Sequence, residues 1–78
     1  MTVKVLGSGC AKCNKLYEKV KEVAQSNNID AEIIKETDIQ EIMKYKVMMT
    51  PAVVVNEKVK SYGVIPKDEQ ILEWLKEN

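Results

Sequence analysis

Seventy-eight residues, 45% of them apolar and 31% charged, have the balance of a single soluble globular domain spanning residues 1–78. Area scaling takes roughly 60–65% of the unfolded surface out of water at this size, enough for one modest core without a metal or disulfide staple. Twelve lysines balance twelve acids, and no arginine is present, so the basic excess that a nucleic acid or an anionic membrane would need is missing.

The absence of histidine removes Ser-His and Cys-His dyads and any imidazole metal ligand. Two cysteines cannot complete a four-ligand zinc site, and they are too few for a disulfide-dense secreted module. No signal-peptide pattern opens the chain, and no apolar run approaches the ~20 residues of a membrane span. The cytoplasm is therefore the expected compartment and a monomer the expected state. In that compartment a close cysteine pair is more often redox-active or metal-binding than structural.

In chain order, Thr2–Leu6 alternates with Val3 and Val5 on one face and predicts a first strand. Gly7-Ser8-Gly9 breaks it and suits a tight turn or a close backbone approach. From residue 11 to about residue 27, Cys13, Leu16, Tyr17, Val20, Val23 and Ala24 recur at helical spacing, with lysines and glutamates opposite. Lys15/Glu18, Glu18/Lys21 and Lys19/Glu22 form i,i+3 pairs of opposite sign. Asn27-Asn28 is a helix stop. Residues 30–35 predict a second strand, with Ala31, Ile33 and Ile34 apolar.

Thr37-Asp38 followed by Gln40 and Glu41 has the look of a capping box. It predicts a short helix with Ile39, Ile42 and Met43 turned inward, ending near Tyr45 or Lys46. Ala52–Val55 is a continuous apolar run, as an interior strand requires. Asn56-Glu57 is a hairpin turn in which Glu replaces the usual Gly. Lys58–Tyr62 is the return strand. Pro66 suits the entry to a last helix with Ile71, Leu72 and Leu75 as its buried stripe and Trp74 half-buried. The order β-α-β-α-β-β-α predicts an α/β fold: one mixed four-stranded sheet with helices on both faces.

The chemistry centres on Cys10-Ala11-Lys12-Cys13, which follows a strand and opens a helix. That spacing lets two sulfurs reach each other across a first helical turn, so a reversible disulfide is geometrically possible. Free amide groups and the positive end of the helix dipole favour a thiolate at Cys10, and Lys12 adds positive charge of the same sense. Cys10 precedes the helix body and is expected to be exposed, whereas Cys13 lies on the buried stripe. Cys10 is therefore the expected attacking thiolate and Cys13 the resolving thiol. The plain alternative is two buried structural cysteines. Pro51, directly before the apolar run, reads either as a proline at the first residue of a strand or as a cis residue set beside the cysteines. Met48 and Met49 suit a substrate lip or core gaps, and packing is expected of at least one.

Taken together, the cysteine pair opening the first helix, Thr50-Pro51 before the third strand and Gly63 after the fourth resemble the thioredoxin superfamily. The likeness is to its short bacterial and archaeal branch of small redox-active disulfide proteins, thioredoxin-like and near the minimal glutaredoxin size. Residues 5–13, 37–39, 42–45, 47–52 and 63–66 carry the resemblance, which spans essentially the whole chain. It implies a thioredoxin-like fold and a dithiol-disulfide oxidoreductase. Its electrons would come from a flavin-dependent reductase, and its substrates would be disulfide-containing proteins. No cofactor or metal is implied beyond the redox-active Cys10–Cys13 pair. The resemblance also implies a cis Pro51, a Thr50 backbone that pairs with an extended substrate, and a Gly63 that lines the same groove and lets substrate approach. The chain departs from thioredoxin in having Gly9 where a tryptophan precedes the first cysteine and Lys4 near the place of a buried aspartate. Met49-Thr50-Pro51 and Gly63-Val64 match the glutathione-binding segments of glutaredoxins poorly.

The competing function is a soft-metal module. Small copper chaperones also set Cys-x-x-Cys between a first strand and a first helix, and two thiolates suit Cu(I). Those proteins carry Met two residues before the first cysteine, where this chain has Ser8, and follow a β-α-β-β-α-β order.

Overall fold

The computed structural model describes residues 1–7, 9 and 11–76. Its elements are β1 (Thr2–Leu6), α1 (Ala11–Ser26), β2 (Glu32–Glu36), α2 (Ile39–Met43), β3 (Ala52–Val55), β4 (Lys58–Tyr62) and α3 (Asp68–Lys76). The strands form one mixed sheet in the order β2-β1-β3-β4. β1 pairs with β2 in parallel and with β3 antiparallel, and β3 pairs with β4 antiparallel. This is the expected thioredoxin-like α/β architecture, and its element order is not that of the copper-chaperone reading.

Strand alternation separates two apolar clusters. Val3 and Val5 of β1, with Val53 and Val55 of β3, face Leu16, Val20, Val23 and Ala24 of α1 and Ile71 and Leu75 of α3. Leu6, Ala52 and Val54 face the other way, against Ile42 of α2, with Tyr45 and Val47 at the margin. All four β3 residues are buried because both faces of this central strand are covered. Lys19 joins α1 to α3, its amine donating to the Pro66 carbonyl at 2.8 Å and lying 3.3 Å from Asp68.

Three local expectations are corrected. β2 begins at Glu32, not residue 30, because parallel pairing starts at Thr2↔Glu32 and the Glu32 N–H donates to the Met1 carbonyl at 2.9 Å. Ile29 and Ala31 still pack on the core, but from the connection. In α2 only Ile42 points inward, while Ile39 and Met43 are 63% and 66% exposed. Five helical residues make little more than one turn, and only one side chain of that turn faces the sheet. Leu72, expected on the buried stripe of α3, is only partly buried.

The termini of α2 and the hairpin follow the local chemistry. Asp38 caps α2, its carboxylate accepting from the Gln40 N–H at 2.9 Å. Lys46 then takes φ 60°, and the chain turns away from the helix. Asn56 and Glu57 both adopt positive φ, 48° and 70°, and close the β3–β4 hairpin.

Candidate active site

Pairing brings several chain segments to one end of the sheet. Leu6 lies opposite Ala52, and Ala52 opposite Tyr62. The next residues outward, Gly7, Pro51 and Gly63, therefore share that end, and the Gly63 N–H donates to the Pro51 carbonyl at 2.9 Å. On the β2 side, the Gly7 N–H donates to the Glu36 carbonyl at 2.9 Å. The carboxyl ends of the two parallel strands thus open toward the start of α1, as in other open α/β sheets that place their sites there.

Cys13 belongs to the first turn of α1 and is only 1% exposed. Gly7 lies directly against it. A β-carbon added at Gly7 would collide with the Cys13 sulfur and stand 2.7 Å from its Cβ. Glycine is therefore needed there for space, whereas Gly9 has nothing within 4 Å among the described residues but holds φ +88°. The Asn14 amide donates to the Gly9 carbonyl at 3.4 Å and ties this turn to the helix. The two glycines of the turn thus serve different ends, one accommodating a sulfur and the other a backbone conformation.

Cys10, the expected attacking thiolate, lies outside the described residues, as does Ser8. Lys12, expected to tune the thiolate, is exposed on α1. The Thr50–Pro51 peptide is cis, as the resemblance implies, with Thr50 exposed and Pro51 buried. Gly63 has φ +76°, and its open side is filled by Met49: an added β-carbon would stand 3.1 Å from Met49 Cβ and Cε. The expected approach to Gly63 is therefore lined by a side chain of the protein itself. Met48 and Met49 are 94% and 57% exposed, so neither fills a core gap as was expected of at least one, although Met49 lies against Gly63. Ile39 and Met43, turned outward, join Ile42, Val47, Met48 and Thr50 around an open apolar groove beside the proline.

Sequence reasoning also missed a polar cluster on the α2 face. The Lys4 amine donates to the Tyr45 hydroxyl at 2.8 Å, and that hydroxyl donates to the Glu57 carboxylate at 3.0 Å. Glu57 lies 3.6 Å from the same amine. The Tyr45 hydroxyl, aided by the Glu57 carboxylate, holds the Lys4 ammonium above the ordinary lysine value despite partial desolvation. The signal available in the sequence was Glu57 itself, an unfavourable residue for its turn.

Comparison with known proteins agrees with this architecture. A family model described as a thioredoxin domain matches residues 1–76. The chain is 42% identical over 76 residues to a thioredoxin of Methanocaldococcus jannaschii, covering 97% of this chain and 87% of that one. It is 28% identical over 71 residues to a thioredoxin of Methanothermobacter thermautotrophicus, covering 91% of this chain and 92% of that one. No solved structure matches significantly. The chain belongs to the thioredoxin family.

Proposed function

We propose that this protein is a dithiol-disulfide oxidoreductase that reduces protein disulfides through Cys10 and Cys13. Membership in the thioredoxin family supports thiol-disulfide exchange as the class of activity. The observation that carries the finer reading is the placement of Cys13. Its sulfur is buried on the first turn of α1 against Gly7, at the sheet end shared by Pro51 and Gly63. A sheltered thiol three positions after a second cysteine suits the resolving role.

In this mechanism the Cys10 thiolate attacks one sulfur of a substrate disulfide. The substrate S–S bond breaks, one substrate sulfur leaves as thiolate and takes a proton from solvent, and a Cys10–substrate disulfide forms. Cys13, having lost its proton, then attacks the Cys10 sulfur. The second substrate sulfur leaves as thiolate, and the protein is left with a Cys10–Cys13 disulfide. Two electrons have passed to the substrate, and an external dithiol must restore the protein. A flavin-dependent reductase is the class of donor that fits. Lys12 would add positive charge near the attacking sulfur, while Thr50, Pro51 and Gly63 would form the surface that receives the substrate strand.

The test is reduction of insulin disulfides by the wild type, Cys10→Ser and Cys13→Ser. Cys10→Ser should abolish turnover, and Cys13→Ser should accumulate mixed disulfides visible by mass spectrometry. Full activity in both single variants would refute the assignment.

A further inference from the structure

Three elements meet at the Lys4–Tyr45–Glu57 cluster: the middle of β1, the turn that leaves α2, and the β3–β4 hairpin. Its contacts close a ring. The ammonium donates to the hydroxyl, the hydroxyl donates to the carboxylate, and the carboxylate pairs with the ammonium. The Lys4 amine also lies 5.4 Å from the centroid of the Tyr45 ring. Glu57 makes two of these contacts from φ 70°, a backbone conformation that favours glycine. The local disadvantage of Glu at this turn therefore coincides with a long-range use for its carboxylate.

The helix that this cluster secures has little other anchorage. α2 is five residues long and buries only Ile42. Tyr45 packs at the edge of the same apolar cluster, its N–H donating to the Ile42 carbonyl at 3.1 Å. The chain turns at Lys46 and runs through residues 47–50 to Pro51, where Met49 covers Gly63. Tyr45 is thus a fixed point just upstream of the segment that ends at the candidate substrate surface.

We propose that Lys4, Tyr45 and Glu57 are positioning residues: they clamp the exit of α2 to the sheet and thereby set the Met48-Met49-Thr50 segment for an incoming substrate strand. The role in substrate binding rests on the oxidoreductase reading above; the clamping of the segment does not. A clamp differs from a simple staple because its loss changes recognition of an extended protein substrate while leaving exchange with a small disulfide alone.

Tyr45→Phe removes the hydroxyl and keeps the ring, and Glu57→Gly removes the carboxylate while relaxing the turn. Both should raise KM for insulin about three- to tenfold with little change in kcat, the scale of one lost hydrogen bond. The rate with a small aromatic disulfide should stay at the wild-type level. Glu57→Gln, whose amide oxygen can still accept from Tyr45, should lie near the wild type. Backbone amide shifts of Met48, Met49 and Thr50 should move in Tyr45→Phe and Glu57→Gly. A lowered melting temperature with unchanged KM and unmoved amide shifts would overturn the clamp. If the wild type fails to reduce insulin, the oxidoreductase reading falls. The amide shifts then decide the clamp alone, and their constancy would overturn it.

Discussion

Gly7 lies so close to Cys13 that a β-carbon on Gly7 would stand 2.7 Å from the cysteine's own Cβ and overlap its sulfur. The end of β1 and the first turn of α1 are therefore packed backbone against thiol. This contact fixes where the buried sulfur lies relative to the sheet, and it leaves no room for even one methyl group.

Gly7→Ala should accordingly destabilise the fold by about 1–3 kcal/mol through overpacking. Gly9→Ala meets nothing within 4 Å among the described residues but must hold φ +88°, so about 1–2 kcal/mol from backbone conformation is expected. Denaturant unfolding of the two variants checks the sizes. A crystal structure or NMR analysis of Gly7→Ala should show the Cys13 side chain displaced, and Gly9→Ala should leave it in place.

The two faces of α2 give a second contrast. Ile42 is 6% exposed and packs on Leu6, Ala52 and Val54, so Ile42→Ala should cost about 2–4 kcal/mol. Ile39 is 63% exposed, and Ile39→Ala should fall within about 0.5 kcal/mol of the wild type. Equal losses in the two variants would show that Ile39 is also part of the core.

These residues also mark where sequence pattern stops being informative. The apolar run of Ala52–Val55 and the seven-element order were readable because each depends on local period and on covered faces. Ile39 and Met43 scan as inward-facing because a one-turn helix has too little period to separate its faces, and an exposed apolar side chain reads like a buried one. The start of β2 shifted by two residues because pairing with β1, not local preference, decides where a strand begins. Both cysteines, Thr50, Pro51 and Gly63 stood out as motif residues. The filling of Gly63's open side by Met49 did not, since it joins residues far apart in sequence. The Lys4–Tyr45–Glu57 ring left a single trace: a glutamate at a turn position where glycine is favoured.

That ring predicts a pH dependence. Hydrogen bonding to Tyr45, with support from Glu57, raises the folded-state pKa of Lys4 above 10.5. The folded chain then holds this proton more tightly than the unfolded chain, so the stabilisation is complete below 10.5 and is lost as pH rises through the raised value. The stability difference between the wild type and Lys4→Met should hold steady from neutral pH to about pH 10 and close above it. Denaturant midpoints at a series of alkaline pH values measure this. A difference that persisted unchanged at the alkaline limit of folding would contradict it.

Cys10 and Cys13 should interconvert between a dithiol and a bridged form. Equilibration in dithiothreitol buffers of graded ratio, followed by acid quench, thiol alkylation and mass spectrometry, reads that interconversion. One two-electron transition is expected, in which both cysteines lose their alkylation together and the chain stays monomeric in mass. Cysteines that remain alkylated independently at every ratio, with no bridged species, would contradict it.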